Sequence, residues 1–125
     1  MLIGLSPIFP CNDIEETTDF YVNKLGFKAA KYLNVSESHV CLYRDSIEIV
    51  LIKALFGGYK PNHVLYGYGF DAYFYTETQE KLEQEFNENR VNFVKPLRNT
   101  DYNNKEFVIE DCDGRYLAFG CKFNN

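Results

Sequence analysis

His39, His63 and Glu48 are the residues of this chain whose types could together hold a catalytic metal, since two imidazoles and one carboxylate suit a divalent ion. A second chemistry comes from ten tyrosines and eleven phenylalanines, with no tryptophan. Such a surplus fills a core, and it also lines cavities with flat apolar faces and polar tips. No G-x-S-x-G, H-E-x-x-H or phosphate-loop pattern is present. The pair Gly57-Gly58 is too short to cradle a phosphate. Cys11, Cys41, Cys112 and Cys121 form no C-x-x-C pair, and neither histidine sits near one at zinc-finger spacing. They read as small, partly buried apolar residues in a reducing compartment.

The chain that must position these groups has 125 residues, 46% hydrophobic and 25% charged, enough for one ordinary domain with a core. Its net charge of −5 shows no basic stripe for a nucleic-acid backbone and tolerates a cationic small molecule. No apolar run approaches the ~20 residues of a membrane span. The start, Met1-Leu2-Ile3-Gly4, lacks a basic region followed by an apolar segment, so the expected location is the cytoplasm.

Leu2 to Phe9 is apolar and reads as a strand, with Pro7 marking an edge or a bend. Asp13 caps a helix, with Glu16 at the capping-box position. Ile14, Thr17, Phe20, Tyr21 and Leu25 share one face at helical spacing, and Gly26 ends the helix. Strands follow at Phe27 to Asn34, His39 to Arg44 and Ile47 to Lys53, the last two joined by an Asp45-Ser46 turn. Ala54 to Gly67 reads as a loop. The order then repeats. Tyr68 to Tyr75 is a strand, Thr76 caps a helix with Gln79 in its capping box, and Leu82 and Phe86 are the apolar face. Val91 to Val94 is a strand. A polar loop with Arg98 and Tyr102 leads to a hairpin of Glu106 to Glu110 and Arg115 to Cys121. The halves thus share the order strand, helix, three strands, with modules at about 1–54 and 66–123 of a single domain spanning 1–125.

The stretch PIFPCNDIEETTDFYVNKLGF (Pro7 to Phe27) resembles the first module of the glyoxalase/bleomycin-resistance/dioxygenase (vicinal oxygen chelate) superfamily. KEFVIEDCDGRYLAFG (Lys105 to Gly120) resembles its closing hairpin, with Cys112 in place of the usual proline, and RDSIEIVLI (Arg44 to Ile52) resembles the first module's hairpin. The resemblance implies an α+β fold of two tandem βαβββ modules whose curled mixed sheets surround a cavity. Where relatives hold a divalent metal, the matching positions here are Ser6, Glu48, Phe70 and Ala118. Only Glu48 among them is a strong ligand, so the resemblance points toward the metal-free, bleomycin-resistance-like members. These bind a cationic drug stoichiometrically and form homodimers, and Pro7 falls where they carry a hinge for exchanging an arm between subunits.

Period-two alternation assigns the faces. With Glu48 inward, Val50 and Ile52 follow, while Ile47, Ile49 and Leu51 pack on a helix. Phe70, Ala72 and Phe74 are expected inward, across from Tyr116 and Ala118. Ser6 and Ile8 join this wall, and so do His39, Cys41 and Tyr43. Among apolar neighbours Glu48 is expected to have a raised pKa unless a cation pairs with it. The loops Phe56 to Gly67, with Tyr59 and Tyr66, and Arg98 to Tyr102 are expected as lips, together with Tyr68. The expected function is sequestration of an organic, cationic ligand in an aromatic pocket without metal or other cofactor. A metal-dependent lyase, isomerase or dioxygenase with an atypical site is the alternative, and a dimeric module with a filled, inert cavity is a third reading.

Overall fold

The computed structural model describes residues 1–123. The chain divides into two compact units, Met1–Tyr59 and Lys60–Asn125. Each carries one four-stranded mixed sheet and a ten-residue helix, an α+β architecture.

Unit 1 runs β1 (Ile8–Cys11), α1 (Ile14–Asn23), β2 (Lys28–Tyr32), β3 (His39–Arg44) and β4 (Ile47–Lys53). Its sheet order is β1-β4-β3-β2. Asp13 caps α1 as expected: its Oδ1 accepts from the backbone N–H groups of Glu15 at 3.1 Å and Glu16 at 3.2 Å. The helix closes at Lys24, and Gly26 takes the left-handed φ of 75° that lets the Phe27 N–H reach back to the Tyr21 carbonyl at 3.0 Å. One sheet face packs on α1, where Tyr21 is 0% exposed and its ring meets those of Phe9 and Phe27. Val40, Leu42, Ile49 and Leu51 share this buried face.

The expected first strand is corrected at its start. Met1, Leu2, Ile3 and Leu5 lie outside any strand and are exposed, and pairing begins only after Pro7, whose carbonyl accepts from the Val50 N–H at 3.0 Å. Apolar character predicts burial, but strand formation needs a partner, and β4 offers one only from Ile8 onward.

Unit 2 begins with α2 (Asn62–Tyr66), then β5 (Ala72–Tyr75), α3 (Gln79–Glu88), β6 (Asn92–Asn99), β7 (Asn104–Glu110) and β8 (Tyr116–Lys122). The sheet order β5-β8-β7-β6 reproduces that of unit 1 strand for strand, so the duplicated βαβββ order is real. Phe86 of α3 is 1% exposed and packs edge-on against Phe107 and Phe119. Phe119 in turn stacks on Phe74 and Phe107.

Strand ends elsewhere shift by one or two residues, and four further features differ from expectation. The segment expected as a plain loop contains α2, held by its own anchors: the Asn62 N–H donates to Asp71 Oδ1 at 3.1 Å, and the His63 Nε2–H donates to the Gly114 carbonyl at 2.9 Å. β5 starts at Ala72 rather than Tyr68, after Gly67 and Gly69 with φ of 86° and 105°. Thr78, not Thr76, is the N-cap of α3, and the Thr76 hydroxyl accepts from the Thr78 N–H at 3.1 Å. β6 runs on to Asn99, which places Arg98 in a strand rather than a loop, because two register shifts against β7 keep the pairing going past Lys95.

The closing hairpin turns at Asp111-Cys112-Asp113-Gly114. Asp111 Oδ1 accepts from the N–H groups of Asp113 and Arg115, both at 2.9 Å. The Arg115 guanidinium, 0% exposed, donates to Asp111 Oδ2 at 3.0 Å and to Asp113 Oδ2 at 3.2 Å. Cys112 is exposed at the tip, unlike the buried Cys11 and Cys41. No helix among the described residues is long and apolar enough to cross a membrane.

Candidate functional site

In unit 1 the sheet face away from α1 carries the candidate residues. Pairing of Tyr43 with Glu48, Cys41 with Val50, and Ile8 with Val50 sets Tyr43, Cys41, Glu48, Val50 and Ile8 on one side. Ser6 precedes β1 and reaches the same side, where its hydroxyl donates to Glu48 Oε1 at 2.5 Å. The Tyr43 hydroxyl is a second donor to this carboxylate. Both bonds favour the charged form, Ser6 more strongly than Tyr43, and hold Glu48 below the ordinary carboxylate value of 4.5. This corrects the expectation of a raised pKa: Glu48 is only half-buried, and local hydroxyls outweigh desolvation. The same contact raises the Tyr43 phenol well above its usual range, since losing its proton would set an anion beside Glu48; Cys41 adds to the effect.

This face leaves Ile8 at 53%, Tyr32 at 46% and Tyr43 at 42% exposure, so it presents apolar and aromatic surface rather than burying it. His39 shares the face and stacks on Tyr32 with ring centroids 5.0 Å apart. It stands at the opposite end of β3 from Tyr43, roughly 13 Å from Glu48 along the strand, too far for the two to share an ion. Tyr59 is half-buried, and its N–H donates to Asn12 Oδ1 at 2.8 Å.

In unit 2 the face away from α3 holds Tyr73, Ala118, Glu106 and Tyr116. Phe74 belongs to the other face. It is 8% exposed and stacks on Phe119 at 4.6 Å, in the core against α3. The expected alternation of Phe70, Ala72 and Phe74 toward the site is therefore corrected by one residue, and Tyr73 takes the position given to Phe74. Phe70 precedes β5, half-buried, with its ring 6.3 Å from that of Tyr73. The tract Ala72-Tyr73-Phe74-Tyr75 carried the signal: the side chain without a hydroxyl goes to the dry face.

Tyr116 does lie on the face shared by Ala118, with the His63 ring stacked on it at 3.6 Å. Tyr66 and Tyr68 are exposed, and neither side chain makes a hydrogen bond among the described residues. Arg98 is exposed on β6, opposite Glu106 in register, and Tyr102 follows in the turn to β7.

Sequence reasoning missed Glu106, Asn104 and Tyr73. Glu106 is 0% exposed. Its Oε1 accepts from the Tyr73 hydroxyl at 2.8 Å and its Oε2 from the Tyr102 hydroxyl at 2.6 Å, while Asn104 Nδ2 donates to the Tyr73 oxygen at 2.9 Å. Burial first and the Glu106 carboxylate second push both phenols upward. A carboxylate inside the apolar run of β7 was the available signal.

The positions that the resemblance assigns to a metal do not make a donor set. Phe70 and Ala118 offer no ligand atom and Ser6 only a neutral hydroxyl, which leaves Glu48 as the single strong donor. Among the described residues no group of three His, Cys, Asp or Glu side chains is placed to hold an ion. A divalent ion needs several converging O or N donors, so these residues do not fit one.

A family model described as Glyoxalase/Bleomycin resistance protein/Dioxygenase superfamily matches residues 5–119. Among solved structures, a glyoxalase-related enzyme from Clostridium phytofermentans matches with a TM-score of 0.78 at 16% identity, over 98% of this chain and 97% of that one. TnmS3, an antibiotic binding protein from Streptomyces sp. CB03234, matches with a TM-score of 0.75 at 18% identity, over 98% and 99% of the two chains. A superfamily member from Sphaerobacter thermophilus DSM 20745 gives 0.73 at 20% identity, over 96% and 97%. At these identities the likeness establishes the fold. No curated protein sequence matches the chain significantly.

Proposed function

From the premise that the chain belongs to the Glyoxalase/Bleomycin resistance protein/Dioxygenase superfamily, we propose that it is a metal-free binding protein of the bleomycin-resistance type. It sequesters an organic, cationic ligand. The observation that carries this reading is Glu48, held charged by the Ser6 and Tyr43 hydroxyls on a face that exposes aromatic and apolar side chains. A carboxylate satisfied by neutral hydroxyls keeps its charge for a cation. Neighbouring rings add stacking and cation–π contacts of about 0.5–2 kcal/mol each. That a structural neighbour is an antibiotic binding protein supports the same class of ligand.

The ligand-binding residues in this reading are Ser6, Ile8, His39, Tyr43, Glu48 and Val50 in unit 1, with Tyr59 at the rim. In unit 2 they are Tyr73 and Tyr116, with Phe70, Tyr66, Tyr68, Arg98 and Tyr102 at the lips. The protein works in the cytoplasm as a homodimer, its exposed Met1–Leu5 arm exchanged about Pro7.

Calorimetry with bleomycin tests the reading. The expected affinity is about micromolar or tighter, near −8 kcal/mol, and Glu48→Gln is expected to weaken it about tenfold or more. No heat and no thermal shift at saturating drug would remove the drug assignment. Stoichiometric Ni, Zn, Fe or Mn in untagged protein would overturn the metal-free reading, and a monomer by light scattering would overturn the dimer.

A further inference from the structure

Glu106 has no role in the Glu48 site, and its surroundings are unusual for a buried acid. It is 0% exposed, yet no ion pair reaches it among the described residues; its side-chain partners are two neutral hydroxyls. Buried carboxylates ordinarily sit with a cation or among several backbone donors.

The two tyrosines differ in how firmly they are held. Tyr73 stands on β5, is braced by Asn104, and packs against the rings of Phe70 and Tyr75. Tyr102 lies in the turn between β6 and β7 and is 47% exposed. A glycine on the neighbouring strand makes room for the Glu106 side chain. Gly120 lies directly across from it, and a Cβ there would fall 2.6 Å from the Glu106 Cβ and 2.4 Å from the Lys105 carbonyl oxygen. A buried carboxylate with one half-exposed phenol over it makes a covered socket.

We propose that Glu106, Tyr73 and Tyr102 form a cation subsite in unit 2 that takes a planar amidinium or guanidinium group onto the carboxylate in place of the Tyr102 hydroxyl. Such a group matches a carboxylate with two parallel N–H donors, and its flat face stacks on a phenol ring. Each carboxylate oxygen has lone pairs to spare beyond the one bonded to Tyr73. Arg98, opposite Glu106 in register and exposed, carries the same planar group and is the internal competitor for the socket. The subsite shares Tyr73, Arg98 and Tyr102 with the proposed ligand site, but it rests on Glu106 and stands without Glu48.

Benzamidine is the probe and neutral benzamide its control, titrated into the full chain by calorimetry and tyrosine difference absorbance. With no tryptophan present, the long-wavelength edge of the difference band, beyond the probe's own absorbance, reports the phenols. Wild-type protein is expected to bind benzamidine, with a band from the released Tyr102 phenol, and to ignore benzamide. Glu106→Gln should weaken binding at least tenfold. Tyr102→Phe should bind as well or better and lose most of the band. Arg98→Ala should bind at least as tightly as wild type. The proposal is overturned if wild type does not bind benzamidine at millimolar concentration, if benzamide binds equally, if Glu106→Gln binds within twofold of wild type, or if Tyr102→Phe keeps the band. Should Glu106→Gln fail to fold by circular dichroism, the benzamide and Tyr102→Phe arms decide. A failure of bleomycin to bind leaves this test intact, because the benzamidine arms turn on Glu106, which the bleomycin reading does not use.

Discussion

The Ser6 hydroxyl donates to Glu48 Oε1 at 2.5 Å, tying the segment before β1 to the middle of the sheet across 42 positions of sequence. The bond is charge-assisted, and with Tyr43 it lowers the pKa of Glu48. A carboxylate whose folded pKa is depressed stabilises the fold above its unfolded value, and that contribution is lost as pH falls through the folded value. Ser6→Ala is therefore expected to move the Glu48 titration upward toward 4.5, read from the carboxyl carbon by NMR. The stability gap between wild type and Ser6→Ala should be present at neutral pH and close in acid. An unchanged Glu48 midpoint would refute this account.

Phe74 and Tyr75 are neighbours with opposite fates. Phe74 is 8% exposed against Phe119, and Tyr75 is 79% exposed. Phe74→Ala should cost about 3–5 kcal/mol in urea unfolding, the usual range for emptying an aromatic core position. Tyr75→Ala should stay within about 0.5 kcal/mol. Similar losses at both positions would mean that the face assignment of β5 is wrong.

Asp111 and Arg115 close the last hairpin in a buried pair, with Arg115 at 0% exposure. Removing one partner of such a pair leaves an under-compensated charge, at a cost of about 3–5 kcal/mol. Asp113 still faces Arg115 at 3.2 Å, so Asp111→Asn is expected at the lower end, about 3 kcal/mol by urea midpoint. A change below about 1 kcal/mol would mean that solvent reaches the guanidinium after all.

Much of the fold was legible in the residue pattern. β3 and β4 begin and end where alternation and the Asp45-Ser46 turn set them. Asp13 caps α1 because a short acid before an apolar-periodic run can satisfy orphan N–H groups locally. The repeated βαβββ order followed from elements of this kind, each decided by neighbours in sequence. The face that Glu48 shares with Val50, Cys41 and Tyr43 was legible too, from alternation along β3 and β4.

Other features depend on partners far along the chain. The Met1–Leu5 arm is as apolar as a strand but has no neighbour to pair with in its own unit, so composition alone could not place it. The charge state of Glu48 turned on Ser6 and Tyr43, and burial, read alone, gave the opposite sign. The β5 face was decided by Phe119 and Phe86, which draw Phe74 into a dry cluster and turn Tyr73 toward Glu106. Sequence by itself determined the elements, their order and the family resemblance, because periodicity and capping act within a few residues. Only tertiary structure decided which side chains meet a carboxylate. A strand's two faces are interchangeable until another strand or helix buries one of them.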